Sequence, residues 1–249
     1  MSEFKFPTEE VELPSKGLVY PKDNPLSSGK IEIKYMTAKE EDILTNQNYV
    51  KQGTVVDKLI RSLIVDKSIN YDDMIVGDKN AVLVAARILG YGKDYSFKYL
   101  GGEQVTIDLT ELETRYLDES TMLDNKNEFS YTLPHTNTEI TYKILTNRDE
   151  KKIEAEVKGL KKIDKQSSPE LSTRLKYIIT SVKGDTENKA VREFVDNYML
   201  ARDSRAFREH IKQTQPDIPM VFNFMGENGV EEDAVVPMTA GFLWPDAGI

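Results

Sequence analysis

The chain has no cysteine, so disulfides are impossible and a thiolate zinc site is excluded. Its only histidines are His135 and His210, too few to supply a histidine metal centre. Only a carboxylate-bound calcium or magnesium ion stays open on composition, and no cofactor is expected. Basic residues are outnumbered, 33 against 42 acidic ones, for a formal charge of −9. That sign disfavours non-specific binding to nucleic acid or to an anionic membrane surface and suits basic partners better. No apolar run approaches the roughly 20 residues that span a bilayer. The opening MSEFKFPTEEVELP lacks the basic, apolar, small-residue order of a targeting segment, so the cytosol of the producing cell is the expected compartment.

What is present is enough for a folded protein: 249 residues, 39% of them hydrophobic, allow one domain or two with a sizeable core. The stretch that most needs burial is residues 76–92, VGDKNAVLVAARILGYG. Asp78 reads as the cap of a helix starting at Lys79, and Val82, Leu83, Ala85, Ala86, Ile88 and Leu89 leave almost no polar face. Gly90 and Gly92 end it, after which Tyr95, Phe97 and Tyr99 alternate as a strand.

The spacing around that helix divides the chain into five segments of an α+β protein. Residues 1–30, with Pro7, Pro14, Pro21 and Pro25, form an extended arm too rich in apolar side chains to be a free linker. It is expected to lie against its own domain or, alternatively, against a neighbouring chain. Residues 31–93 hold a strand (IEIKYM), a capping box at Thr37 and Glu40, and a helix after Thr54, making a small helical cluster with the central helix. Residues 94–146 read as two β-hairpins in an antiparallel sheet, with a short helix over 110–117 between them. Residues 147–215 form a second helical cluster: a lysine- and glutamate-rich helix over 148–165, one from Ser168 to Gly184, one from Asp185 and a short one from Asp203. Tyr198 and Met199 are expected inward on the third. Residues 216–249 close with a hairpin around Glu227-Asn228-Gly229 and an apolar tail, Phe242, Leu243 and Trp244 before Pro245.

No catalytic constellation emerges. GYGKD, at 90–94, follows a helix and precedes a strand, the reverse of a phosphate loop. His135 sits in a hairpin turn with no third partner, and His210 on an amphipathic helix; both read as surface or boundary residues. The acidic pairs Asp72–Asp73 and Glu231–Glu232 lie in solvated sequence, where adjacent side chains diverge. The basic run at 158–165 lacks interleaved aromatics and follows several acids, as expected of a salt-bridged helix face. Apolar residues outside the regular elements, Leu18, Val19 and Tyr20 in the arm and Phe242, Leu243 and Trp244 in the tail, are the candidates for partner contacts.

Four segments in order, LPSKGLVYP (13–21), IEIKYMTAKEEDIL (31–44), VGDKNAVLVAARILGYGKDY (76–95) and the terminal FLWP (242–245), resemble the baseplate protein family of T-even-type contractile-tailed phages. The resemblance implies a helical core with small hairpins and no catalytic residues. It implies a non-enzymatic role in baseplate hub assembly, as structural component or chaperone, with other tail or hub proteins as partners and an oligomer within its range. The setting would be the host cytoplasm during assembly, and the virion baseplate if the chain is retained there. The resemblance implies paired cysteines at knuckles corresponding to 100–103 and 225–229; here both turns carry glycine and no cysteine, so the thiolate ligands such a metal would need are missing. The opposing expectation is a hub-associated hydrolase using carboxylates of the acidic turns.

Overall fold

The computed structural model describes residues 7–99, 104–165, 168–225, 231–237 and 240–245. Helices and antiparallel strand pairs alternate along the chain, an α+β fold. One hydrophobic cluster runs from Leu13 to Leu243 and takes side chains from every segment between.

The arm contains a strand, β1 (Thr8–Glu12), that pairs with β2 (Lys30–Lys34) in register Thr8 to Lys34. Val65 donates its amide to Glu32 O across the other edge of β2. Leu13, Val19, Tyr20 and Leu26 are buried between the two strands in sequence, so the arm folds onto its own chain. Three helices follow: α1 (Ala38–Thr45), α2 (Gln47–Gln52) and α3 (Val55–Leu63). Thr37 and Glu40 form the expected capping box. Thr54 precedes α3 but makes no side-chain cap bond, and α2 is a helix the spacing did not announce.

The central helix, α4 (Val76–Tyr91), is buried along most of its length. It starts three residues before the expected Lys79, so Asp78 lies within its first turn and does not cap it. Gly90 lies inside the helix against Met36, and the end comes at Gly92, whose φ of 82° suits a residue without a Cβ. The helix also buries Arg87, which donates to Gly92 O at 2.7 Å and Asp94 O at 3.0 Å. Those two bonds hold the turn from helix into strand.

Strands β3 (Asp94–Lys98) and β4 (Gln104–Asp108) make the first expected hairpin. The helix expected over 110–117 is absent: only a 3-10 turn at Leu109–Glu111 forms, and Arg115 instead exchanges backbone hydrogen bonds with Asp217. Strands β5 (Phe129–Thr132) and β6 (Glu139–Tyr142) form the second hairpin. The two hairpins do not share a sheet. After α5 (Asn147–Ile163) and α6 (Glu170–Ile178), the chain straightens into β7 (Ile179–Val182), which pairs with β6. The single helix expected from Ser168 to Gly184 is therefore a helix and a strand, since the β-branched ITSV gains more from the open edge of β6 than from another helical turn.

Helices α7 (Asn188–Asn197) and α8 (Ala201–Thr214) pack beside this sheet. Val191 and Val195 face inward, but Tyr198 is 62% exposed, against expectation. Asp203 is buried in the first turn of α8 and accepts the amides of His135 and Thr136, tying the β5–β6 turn to the helix. The hairpin β8 (Val221–Met225) and β9 (Glu231–Val235) and the short α9 (Ala240–Leu243) close the chain. The knuckle positions 100–103 and 226–229 lie outside the described residues, as does the end beyond Pro245.

Candidate functional site

A buried polar cluster lies at the start of α4. Asp78 is fully buried and accepts three hydrogen bonds: from Ser15 N at 3.0 Å, Ser15 Oγ at 2.7 Å and the Tyr20 hydroxyl at 2.5 Å. The Tyr20 oxygen in turn accepts from Ile75 N at 3.1 Å, and Ser15 Oγ accepts from Gly17 N. Burial pushes the Asp78 carboxyl above the usual carboxylate range, against the pull of the Tyr20 and Ser15 donors. Burial, with the neighbouring Asp78, also pushes the Tyr20 hydroxyl well above its ordinary value. All these groups answer one another within the chain, so the cluster fastens the arm onto α4 and exposes no reactive atom.

A second buried carboxylate behaves oppositely. Glu40 accepts from Lys34, Ser62 and both the amide and hydroxyl of Thr37. Burial works against its charge, but these four donors outweigh it and hold its pKa at about 2.

The partner candidates from the sequence go to opposite ends of α4. Val19 and Tyr20 are buried and Leu18 half-buried near its start. Phe242 and Leu243 are buried and Trp244 half-buried beyond its end, where Phe242 meets Tyr95 edge-on at 5.0 Å and the Tyr95 hydroxyl donates to Pro237 O at 2.9 Å. Sixteen residues of helix, about 24 Å, separate the two groups. Each seals this chain's own core, which leaves little of Val19, Tyr20, Phe242 or Leu243 for another molecule to touch.

The acidic pair Asp72–Asp73 is held in ion pairs, Asp72 with Arg61 at 2.8 Å and Lys151 at 2.6 Å, Asp73 with Arg148 at 2.6 Å. The side chains of Glu231 and Glu232 lie outside the described residues. On the charged face of α5, Glu150 pairs with Arg174 at 2.6 Å and Glu156 with Arg192 at 2.7 Å. His135 is exposed. Among the described residues no group of three or more histidine and acidic side chains is placed to hold a metal ion, and no helix is long and apolar enough to cross a membrane.

The feature that sequence reasoning missed is a cleft of about 590 Å³ where α8, the β5–β6 hairpin and the start of α4 meet. Its floor is apolar, with Phe129, Tyr142, Ile144 and Ile178. One end is closed by Gly77 and Pro216, which approach so closely that a Cβ on Gly77 would stand 1.9 Å from Pro216 O. The α8 wall is fixed by aromatic packing: His210 stacks on Tyr131 at 4.4 Å and shares a 2.9 Å hydrogen bond with the Tyr142 hydroxyl, while Phe207 meets Tyr142 edge-on. Burial lowers the His210 pKa, favouring the neutral ring.

Four basic residues and one acidic residue line this cleft: Lys143, Arg174, Arg208, Lys212 and Glu150. Lys143 is matched by Asp149, and Arg174 by Glu150. Arg208 reaches only back to Ser204 O on its own helix, and among the described residues neither Arg208 nor Lys212 has a carboxylate partner. The signal for them is the one-turn spacing of Arg208 and Lys212 around Ile211 on α8. The chain matches no protein-family model, no curated protein and no solved structure.

Proposed function

We propose that this chain is a non-enzymatic tail protein that takes part in assembling a contractile-tail baseplate hub, as a structural component or an assembly chaperone. One observation carries most weight beside the resemblance itself. The four family-like segments are separate in sequence, the last far from the rest, yet they pack into one body. Ser15 and Tyr20 of the first bind Asp78 of the third; Tyr91 of the third donates to Glu41 of the second at 3.3 Å; and Phe242 of the fourth meets Tyr95. Segments that recur in order and also hold one another in place are what a shared scaffold requires, independent of any reaction.

In this reading two small helical clusters are bridged by hairpins, and with no cysteine in the chain no thiolate zinc site takes part. The partners are other tail or hub proteins, with neither nucleic acid nor membrane involved. The site of action is the host cytoplasm during assembly, and the virion baseplate if the chain stays in the particle. Mass spectrometry of tagged chain recovered from cells infected by a contractile-tailed phage should find it with hub proteins. Recovery without any tail protein overturns the reading, as does cell-wall hydrolysis by the pure protein that a single carboxylate substitution abolishes.

A further inference from the structure

We infer that the cleft beneath α8 is a docking site for an acidic, apolar peptide segment of a partner protein, which seats an apolar side chain on the floor and a neighbouring carboxylate against Arg208 and Lys212. The shape and the charge point to the same occupant. A cleft of about 590 Å³ falls in the range of ligand sites, roughly 300–1,000 Å³. Its apolar floor would reward one buried aliphatic or aromatic side chain.

The charge is out of character for the molecule. On a chain of net −9, this cleft keeps two cations whose charge nothing in the described structure answers, set one helical turn apart on a wall held rigid by the His210, Tyr131 and Tyr142 packing. A rigid wall lowers the ordering cost of a contact, and an unanswered cation pair favours carboxylates at encounter and disfavours basic segments. A nucleic acid fits poorly. The aromatic rings at the floor, Phe129 and Tyr142, are buried and stacked on each other at 5.3 Å, so no face is offered for a base. The inference goes beyond tail assembly and does not rest on it, because the recovery of the chain with hub proteins is read separately.

The test is titration calorimetry of the full chain with a short synthetic peptide alternating glutamate with leucine and phenylalanine. Saturable binding is expected, weakening as salt rises. The double variant Arg208→Glu with Lys212→Glu should lower affinity by about tenfold or more, while Lys189→Glu, an exposed cation on α7, should leave it unchanged. Ser130→Trp, which fills the mouth from an exposed position on β5, should also abolish binding, and both sets of variants should keep the wild-type melting temperature. The inference is overturned by any of four results: no binding to wild type, equal binding of a peptide with glutamine for glutamate, unchanged affinity in both cleft variants, or tighter binding of single-stranded oligothymidylate than of the peptide. A concentration-dependent dimer in sedimentation that the double variant abolishes would also overturn it, by giving the cleft to a second copy of this chain.

Discussion

The first turn of α4 has one side turned to Ser15 and Tyr20 and the other to the cleft under α8. On the first side Asp78 is fully buried and its oxygens take donors from residues 58 and 63 positions away in the chain. On the second, Gly77 forms the end of a space whose α8 wall carries two cations that have no carboxylate partner among the described residues. A polar group removed from water costs free energy unless it is answered, so the closed side must be complete for the protein to fold. Exposed cations carry no such penalty and can wait for a partner. The difference separates polar residues that hold the fold from polar residues available to other molecules, and burial with partner count tells them apart better than residue type does.

The largest effect should come from breaking the closed side. Asp78→Ala leaves the Ser15 amide, the Ser15 hydroxyl and the Tyr20 hydroxyl without their acceptor, and should cost about 3–5 kcal/mol in urea unfolding. A loss under about 1 kcal/mol would mean that water or a neighbour replaces the carboxylate, and the contrast between the two sides would collapse.

Glu40 sharpens the same point through pH. Its folded pKa of about 2 lies below the ordinary 4.5, so its contribution is fully present above about pH 4.5 and is lost as pH falls toward 2. Glu40→Gln should cost about 2–3 kcal/mol at neutral pH, and the variant's stability should fall less steeply than wild type's between those values. Parallel curves would remove Glu40 from the account. Asp78 has the opposite sign: its raised pKa makes ionisation an expense of folding, so its share of stability declines as pH rises through that pKa.

Gly77→Ala tests the hinge between the two sides. A methyl group there meets Pro216 O, and shifting that backbone should cost about 1–3 kcal/mol by thermal melt. It should also widen the end of the cleft and weaken peptide binding. The smallest change in stability, within about 0.5 kcal/mol, is expected for the Arg208→Glu and Lys212→Glu pair, although it weakens peptide binding by about tenfold or more.

Local signals explain what could be read from the sequence. The Thr37–Glu40 box, the uniform apolar run of α4 and the three hairpins each announce themselves within one short stretch of chain. The errors arise where distant residues decide. Asp78 satisfies the rule for a helix cap, but Ser15 and Tyr20 draw it into the core one turn later. Ile179–Val182 continues a helical pattern until the free edge of β6 offers backbone partners. Residues 110–117 lose their helix to the pairing of Arg115 with Asp217. The cleft was hidden for the same reason: its cations sit on α8, its floor on β5, β6 and α6, and its end on α4.

Hydrogen exchange of the whole chain, free and with saturating glutamate-containing peptide, compares the two sides in one measurement. Slow exchange is expected at residues 13–20 and 76–90 in both states, with added protection on binding confined to residues 117–130, 142–145 and 208–216. Protection that appears instead at 18–20 or 242–244, with none at the cleft, would contradict the account and return those segments to the role of partner surface.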